Sequence, residues 1–190
     1  MSDEKRYVVV LLGAKDVGKT EMIAQLQKNK FSPERDGGIM VLQFIRYTAK
    51  LTNGKSVCFD VWDTPGQQEY SSSAILYLKT ADVVILNYDI TNEKSFIELK
   101  EFWYKKAKDN LKKKAIFAVA ANRSELYEKQ KVSNNDGEEF AESIGAIFAI
   151  TSSVSESGTF KLFEKIGNKI IESKLWVLLK KLKNETKIIN

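Results

Sequence analysis

The sequence predicts an α/β fold with a largely parallel sheet of six strands. Apolar runs typical of strands alternate with segments of helical periodicity, and parallel strands in one sheet need such crossover connections. Two of the runs, DVVILNY and AIFAVAA, are apolar throughout, as expected of strands buried on both faces. Asn53-Gly54 separates another pair of runs, and this dipeptide favours a hairpin. We therefore expect one antiparallel pair in an otherwise parallel sheet.

The elements follow one another along the whole chain. Strands are predicted at Arg6–Leu12, Ile39–Lys50, Lys55–Trp62, Asp82–Tyr88, Ala115–Ala121 and Ala146–Thr151. Helices are predicted near 18–29, 68–79, 93–109, 134–143 and 159–180. A chain of 190 residues without repeats or an obvious linker is long enough for one domain with a full hydrophobic core. The functional loops should gather at the carboxyl ends of the parallel strands.

Composition excludes several kinds of chemistry. The chain has one cysteine, Cys58, and no histidine, which rules out an internal disulfide, a histidine-dependent triad and a His–Cys zinc site. No apolar run approaches the roughly 18 residues of a membrane span, and we expect no secretion, hence a cytoplasmic protein. The net charge of +5 comes largely from lysines at 105–114 and 174–183. These lysines either lie on solvated helix faces or contact an acidic partner or a membrane. No nucleic-acid-binding motif lies beside them.

The segment GAKDVGKT, residues 13–20, lies between the first predicted strand and the first predicted helix. Its spacing, Gly-x4-Gly-Lys-Thr, is that of a phosphate-binding loop. The glycines let backbone N–H groups face the phosphates, Lys19 can reach the β- and γ-phosphates, and the Thr20 hydroxyl can ligate magnesium. The full pattern in this context favours a nucleotide site over a simple glycine turn.

A second motif, DTPGQ, follows the third predicted strand. Asp63 at the strand end is placed to hold magnesium, commonly through water, and the Gly66 N–H would face the γ-phosphate. Gln67 is then positioned to orient an attacking water with its side-chain amide. Alone, the segment is typical of a Pro-Gly turn, but its position at a strand end after a phosphate loop makes it a strong signal.

Two further segments suit a guanine base. Asn122, Arg123 and Glu125 follow the fifth predicted strand. A carboxylate there can accept hydrogen bonds from the N1–H and the exocyclic amine of guanine, a donor pair that adenine lacks. Residues 152–154 follow the last strand, where backbone N–H groups could meet the guanine carbonyl oxygen. Each segment is weak alone, because helix starts and N-caps look similar, and the order of all four motifs is the stronger signal.

With these motifs the chain resembles the Ras superfamily of small GTPases, and the Rab family most closely, over roughly residues 5–172. The resemblance rests on GAKDVGKT, WDTPGQQEY, ADVVILNYDITNEKSF, ANRSE and TSSV. It implies a P-loop NTPase G domain over residues 1–172, with a six-stranded, mostly parallel sheet flanked by five helices, and an extension at 173–190. It also implies GTP and GDP as ligands, Mg²⁺, protein effectors or regulators of the Rab type, and a role in vesicle trafficking, with peripheral contact to endomembranes.

The resemblance assigns roles to particular residues. Gln67 would be catalytic, and Thr20 and Asp63 would hold the metal. Phe31 matches the aromatic residue that flanks the guanine in this family. Nucleotide contacts are expected from Lys15, Asp16, Val17, Gly18, Lys19, Thr20, Glu21, Phe31, Gly66, Asn122, Arg123, Glu125, Ser152, Ser153 and Val154.

The loop after the first predicted helix departs from the family pattern. The family has a threonine there that closes onto Mg²⁺ and the γ-phosphate, whereas this chain has Gly38 or Met40, depending on where a two-residue insertion is placed. Ser32 is the only serine or threonine in residues 21–47, and it is too near the helix to substitute. The bond that distinguishes GTP from GDP should be lost, so that the switch is weak or differently built, unless water or Asp36 replaces it.

Smaller departures affect both ends of the site. Lys15 stands where the family has a small residue, and it either crowds an incoming arginine finger or lies outward in solvent. Pro65 replaces an alanine without removing the Gly66 N–H. Arg123 replaces a lysine, and its stem can still stack on the base. Glu125 replaces an aspartate, which keeps the carboxylate but changes its reach. We therefore expect guanine recognition with altered geometry and, through the retained glutamine, slow hydrolysis at best.

Two rival functions remain. A nucleotide-bound scaffold that contacts trafficking partners without hydrolysis is favoured by the missing threonine. A P-loop kinase for a small molecule is disfavoured, because ANRSE and TSSV would then have no role.

The tail KLWVLLKKLKNETKIIN has no cysteine for a prenyl anchor. Three interpretations are open for it. In the first, the tail forms a basic amphipathic helix on a membrane or partner. In the second, it packs on its own domain. In the third, its last residues, TKIIN, follow a polar break and lead into a further domain.

Overall fold

The structure is a computed structural model that describes residues 5–27, 44–68, 71–152, 154–155 and 157–188. The side chains of 71–73, 157 and 177–188 are not described. Parts of three predicted elements, at 28–29, 39–43 and 69–70, lie outside these ranges, as do Phe31, Ser153 and the loop that contains Gly38 and Met40.

The described strands are β1 Arg6–Leu12, β2 Phe44–Lys50, β3 Ser56–Trp62, β4 Val83–Asp89, β5 Ile116–Asn122 and β6 Ile147–Ile150. They form one sheet in the order β2-β3-β1-β4-β5-β6. The β2–β3 pair is antiparallel and the other pairs are parallel, which confirms the predicted topology. Gly54 in the β2–β3 turn has a φ of +76°, the left-handed conformation that glycine adopts without strain.

The described helices are α1 Lys19–Gln27, α2 Ser71–Leu78, α3 Glu93–Glu98, α4 Lys105–Asn110, α5 Asn134–Ser143 and α6 Ser157–Ile188. A π-helical segment, Leu99–Tyr104, joins α3 to α4, so the helix predicted at 93–109 is one continuous helical run. Within it Trp103 is fully buried, and its indole N–H donates a hydrogen bond to Glu98 Oε1 at 2.8 Å.

The last helix is longer than predicted. It continues to Ile188, so the predicted end near 180 is wrong. The interpretation of TKIIN as the start of a further domain stays a prediction. Residues 181–188 contain neither proline nor glycine, the two residues that interrupt helices most strongly. In the described part of the chain no helix has the length and apolar character to cross a membrane.

Two apolar cores cover the two faces of the sheet. One packs α1 and α6 against the sheet and includes Phe59 and Phe163; the other packs α2 to α5 against it and includes Tyr88 and Trp103. β4, at the centre, is buried along its whole length, as its apolar sequence predicts. Because β1, β3, β4, β5 and β6 run parallel, the residues that follow them meet at one edge of the sheet.

Candidate functional site

The loop between β1 and α1 is packed tightly against β4. Gly13 has a φ of +145°, and a Cβ atom there would lie 2.2 Å from the Asn87 carbonyl oxygen. Gly18 has a φ of +102°, and a Cβ atom there would meet the Asn122 side chain at 3.2 Å. Both positions favour glycine for their backbone conformation, and Gly13 also requires it for space. The loop ends at Lys19, where α1 begins.

Lys19 is a buried cation at the centre of this loop. Its Nζ donates hydrogen bonds to the Gly13 oxygen at 2.8 Å and the Ala14 oxygen at 2.6 Å. Burial lowers the pKa of Lys19 to about 8, although the nearby Asp63 carboxylate acts in the opposite direction. A buried ammonium group held mainly by neutral carbonyls would gain free energy from an anion placed beside it.

Thr20 and Asp63 form an oxygen-rich pair next to Lys19. The Thr20 hydroxyl donates to Asp63 Oδ2 at 2.7 Å. Asp63 Oδ1 is buried and has no hydrogen-bond partner in the part of the chain that the structure describes. Burial raises the pKa of Asp63, partly offset by the Thr20 hydroxyl and the Lys19 charge.

This pair fits Mg²⁺. A hydroxyl and a carboxylate are hard oxygen ligands, and Mg²⁺ is commonly bound by one or two protein ligands together with phosphates and waters.

The segment after β3 touches the phosphate loop directly. A Cβ atom on Gly66 would lie 2.4 Å from the Lys15 nitrogen, so only glycine fits there. Gly66, Gln67, Lys15 and Lys94 border a common cavity of about 460 Å³. The Lys15 side chain is exposed in this structure. Gln67 thus lies beside the loop that its predicted role requires.

A second cavity, of about 270 Å³, opens where β5 and β6 end. Residues that the sequence assigned to nucleotide binding border it from three separate segments: Gly18, Glu21, Asn122, Arg123, Glu125 and Ser152. Glu125 lies in a 3-10 helix, Ser124–Lys129, that the sequence analysis did not predict.

Asn122 connects this cavity to the phosphate loop. Its Nδ2 donates to the Val17 oxygen at 2.7 Å and to Asn87 Oδ1 at 3.2 Å. Its Oδ1 accepts a hydrogen bond from the Thr151 hydroxyl. Since all these groups are buried, the Asn122 amide is fixed by the fold and connects β4, β5, β6 and the loop.

Arg123 makes a second connection. It has a left-handed φ of +64°, its Nη1 lies 2.9 Å from Asp89 Oδ2, and its Nη2 donates to the Asp16 oxygen at 2.6 Å. The planar guanidinium contacts two partners at once, which a lysine ammonium cannot do with the same geometry. Arg123 therefore links Asp89 at the end of β4 to the Asp16 carbonyl of the phosphate loop.

Gln25 borders the second cavity and is a candidate-site residue that the sequence analysis missed. Its Nε2 donates to the Ser152 oxygen at 2.6 Å, and its Oε1 accepts from the Thr159 hydroxyl at 2.6 Å. Gln25 is buried on the same face of α1 as Met22 and Leu26. A polar residue at the i+3 position of an apolar helix face is a signal that could have identified it.

Val154 is not brought to the cavity. Its side chain is 79% exposed, and its backbone N–H donates to Ser152 Oγ at 3.0 Å. Ser152 itself borders the cavity. The predicted contacts of Phe31 and Ser153 lie outside the described residues.

The phosphate loop, the adjacent Thr20–Asp63 pair and a polar cavity at the carboxyl edge of a mostly parallel sheet define a P-loop protein with the G-domain fold. Residues 8–172 match the Ras family. The chain is 34% identical to Ras-related protein Rab-21 of Homo sapiens over 168 residues, which cover 88% of this chain and 73% of that protein.

Other relatives agree. The identity is 32% to Ras-related protein Rab-30 of Homo sapiens over 165 residues, 87% of this chain and 80% of that protein. It is 30% to Ras-related protein RabJ of Dictyostelium discoideum over 180 residues, 95% of this chain and 69% of that protein. This chain belongs to the Rab family within the Ras superfamily of small GTPases, whose members bind GTP and GDP with Mg²⁺ and hydrolyse GTP.

Proposed function

We propose that this protein is a Mg²⁺-dependent, guanine-specific Rab GTPase with slow GTP hydrolysis and an atypical switch loop after α1. The observation that carries the proposal is the pair of buried charges Lys19 and Asp63 beside the exposed Thr20: the cation lacks an anionic ligand, and a carboxylate oxygen lacks a partner in the described part. A nucleotide phosphate and a divalent cation would satisfy both.

Each end of the site has its own task in this proposal. Lys19 and the backbone N–H groups of the loop bind the phosphates. Thr20 and Asp63 hold Mg²⁺, which when bound neutralises charge on the phosphate oxygens. Asn122 positions the base cavity, and the Glu125 carboxylate selects guanine by accepting from its two neighbouring donors.

Hydrolysis depends on Gln67 in this proposal. Its side chain borders the cavity beside the phosphate loop, where an amide can orient a water molecule toward the γ-phosphate. We expect a slow rate, because the loop after α1 has no threonine to close onto the metal and the γ-phosphate. The same absence should reduce the difference in affinity between GTP and GDP.

A nucleotide-bound scaffold that does not hydrolyse GTP is the second candidate. One observation favours it: residues 33–47 contain no serine or threonine, so the bond that senses the γ-phosphate has no obvious donor. Such a protein would hold GTP and GDP with comparable affinity and contact its partners in either state.

Single-turnover hydrolysis separates the two candidates. Protein loaded with GTP is mixed with Mg²⁺, and phosphate release is followed for wild type, Gln67→Ala and Gln68→Ala. The GTPase proposal expects slow release that Gln67→Ala reduces by at least about tenfold, while the exposed neighbour Gln68 is neutral. Phosphate release that does not depend on Gln67 would support the scaffold.

Protein partners in vesicle trafficking are proposed on two grounds. The Rab relatives imply effectors or regulators in general. An aromatic cluster also lies on β2, β3 and α2: Trp62 is 4.6 Å from Phe44 and 4.2 Å from Tyr77 between ring centroids, and Phe44 is 39% exposed. Exposed aromatic side chains are frequent at protein interfaces.

The extension at 173–190 is proposed to contribute peripheral membrane contact. It belongs to α6 as far as Ile188 and carries five lysines, at 174, 180, 181, 183 and 187. A basic helix of this kind is attracted to anionic lipid.

A further inference from the structure

A basic cavity lies at the opposite edge of the sheet from the nucleotide site. It has a volume of about 370 Å³ and is bordered by the starts of β1 and β3 and by α6. Lys5, Lys55 and Lys174 contribute cations to it, and Val57 and Ile170 contribute buried apolar surface. No aspartate or glutamate is among the described residues that border it. The cavity therefore combines positive charge with an apolar lining.

Two of these lysines lie against one aromatic ring. Lys5 Nζ is 5.2 Å and Lys174 Nζ is 5.1 Å from the ring centroid of Tyr7. The two ammonium groups are thus within about 10 Å of each other, close to one Debye length at 0.1 M salt. Within the described ranges neither forms an ion pair with a carboxylate. An anion beside Tyr7 would reduce the repulsion between them.

Tyr7 contributes its ring rather than its hydroxyl to this position. Its side chain borders the cavity and is 7% exposed, whereas its hydroxyl oxygen is buried and has no hydrogen-bond partner among the described residues. A ligand of the cavity would therefore meet the two ammonium groups over the ring.

The apolar lining continues along α6. Leu175 is 55% exposed and lies four residues after Ile171, which borders the cavity, so the two are neighbours on one helix face. Beyond it the sequence has leucines and lysines over 178–183 within the same helix. The sequence of α6 after the cavity therefore has the same combination of lysines and apolar residues.

We propose that this lysine-bearing face, formed by Lys5, Lys55, Lys174 and Leu175, lies on an anionic lipid bilayer. The ammonium groups would contact phosphate and carboxylate headgroups, while the lysine stems and the leucine enter the interface. The inference extends the proposed tail contact by adding two cations of the folded domain, Lys5 and Lys55, to Lys174 at the start of the extension. Because the nucleotide site is at the other edge of the sheet, it would face away from the bilayer.

Co-sedimentation of the full chain with vesicles tests this arrangement. The vesicles are pure phosphatidylcholine or phosphatidylcholine with phosphatidylserine, and the variants are Lys5→Gln/Lys174→Gln and the matched control Lys129→Gln/Lys131→Gln. The control changes two exposed lysines that follow the carboxyl end of β5, at the opposite edge of the sheet, and lowers the net charge equally. We expect binding to anionic vesicles only, reduced about 30-fold in the first double variant and little changed in the control.

The first double variant retains the lysines at 180, 181, 183 and 187. Binding like wild type by this variant would assign the membrane contact to the tail alone and overturn the proposal. Equal loss in both double variants would show a general charge effect and overturn it as well. GDP binding at the other edge of the sheet verifies that each variant is folded, and Lys55→Gln, with an expected loss of about fivefold, repeats the test at an independent position.

Soluble anions distinguish a bilayer surface from other ligands. If inorganic phosphate at constant ionic strength displaces the protein from the vesicles, the cavity binds a small anion rather than a lipid surface. If polyglutamate binds and vesicles do not, the face belongs to an acidic protein partner. Either result would overturn the proposal, and neither bears on nucleotide binding or hydrolysis.

Discussion

The candidate nucleotide site has a base end, the cavity where β5 and β6 end, and a phosphate end, the loop between β1 and α1. At the base end, buried polar groups form hydrogen bonds with one another, whereas at the phosphate end polar groups remain available to a ligand. Asn122 bonds to Val17, Asn87 and Thr151 at once. At the phosphate end, Lys19 is bound by carbonyl oxygens of its own loop, and Asp63 Oδ1 has no partner in the described part of the chain.

This difference separates affinity from specificity. A buried charge without an opposite charge costs free energy in the unliganded protein, and a ligand that supplies the missing charge recovers it. The phosphate end should therefore contribute most of the affinity. The base end is shaped before the ligand arrives, so it should contribute mainly discrimination between bases.

The largest effect is expected at Lys19. Lys19→Ala removes charge-assisted hydrogen bonds to the phosphates and should weaken GDP binding by more than about 100-fold. Titration with a fluorescent GDP analogue measures the loss. The neighbouring Lys15→Ala, whose side chain is exposed, should change affinity much less. Equal losses in the two variants would contradict a special role for the buried cation.

Glu125→Gln tests the base end. The variant keeps the size of the side chain but replaces one acceptor oxygen with a donor, so the preference for GTP over ATP should fall about 30-fold. Competition of each nucleotide against the fluorescent analogue gives the ratio. Glu128→Gln, an exposed position in the same 3-10 helix, is the control. An unchanged ratio would assign base selection to other groups.

Removal of the metal tests the Thr20–Asp63 pair. EDTA should weaken GDP binding to the wild type by about tenfold or more, because Mg²⁺ neutralises phosphate charge. In Asp63→Ala the difference between EDTA and Mg²⁺ buffers should largely disappear. A full response to EDTA in this variant would place the metal elsewhere.

The pH dependence of binding tests the burial of Lys19. Burial lowers its pKa to about 8 in the unliganded protein, and a bound phosphate favours the charged form. Binding above pH 8 must therefore take up a proton, so the affinity for GDP should fall as pH rises, by about tenfold between pH 7 and pH 9. Lys15→Met should show the same dependence. Affinity that stays constant to pH 9 would mean that Lys19 remains charged throughout.

The smallest effect is expected at Gln25. Gln25→Ala leaves the Ser152 carbonyl and the Thr159 hydroxyl without their buried partner, which should cost about 1–3 kcal/mol of folding free energy. Thermal unfolding should shift by several degrees, and GDP affinity by only a few-fold. Gln27→Ala, exposed on the same helix, should be neutral. A neutral Gln25→Ala would show that the base end does not depend on this bridge.

Most of the fold could be predicted because its signals are local. Periodicity placed the strands, with ends that differ from the structure by at most one residue where both are described, and Asn53-Gly54 identified the antiparallel pair. The end of α6 was predicted wrongly, since polar residues alone do not stop a helix that lacks proline and glycine.

The candidate site divides in the same way. The phosphate loop is a continuous segment, and the spacing of its glycines, lysine and threonine indicates phosphate binding. The positions of Lys19 and Thr20 could therefore be predicted directly. Gln25 contacts Ser152, 127 positions away in the sequence, and Asp89 contacts Arg123, 34 positions away. No local sequence pattern predicts such contacts. Their roles depend on which helix packs on which strand.

The sequence by itself determined the class of site, because the residue types and the order of the motifs specify phosphate, metal and guanine chemistry. Only the tertiary structure decided how that chemistry is supported. The burial of Lys19, the unpaired oxygen of Asp63, the Arg123–Asp89 ion pair and the lysines around Tyr7 all depend on distances between distant segments. Such distances are set by packing of the whole sheet and its helices, which no single stretch of sequence contains.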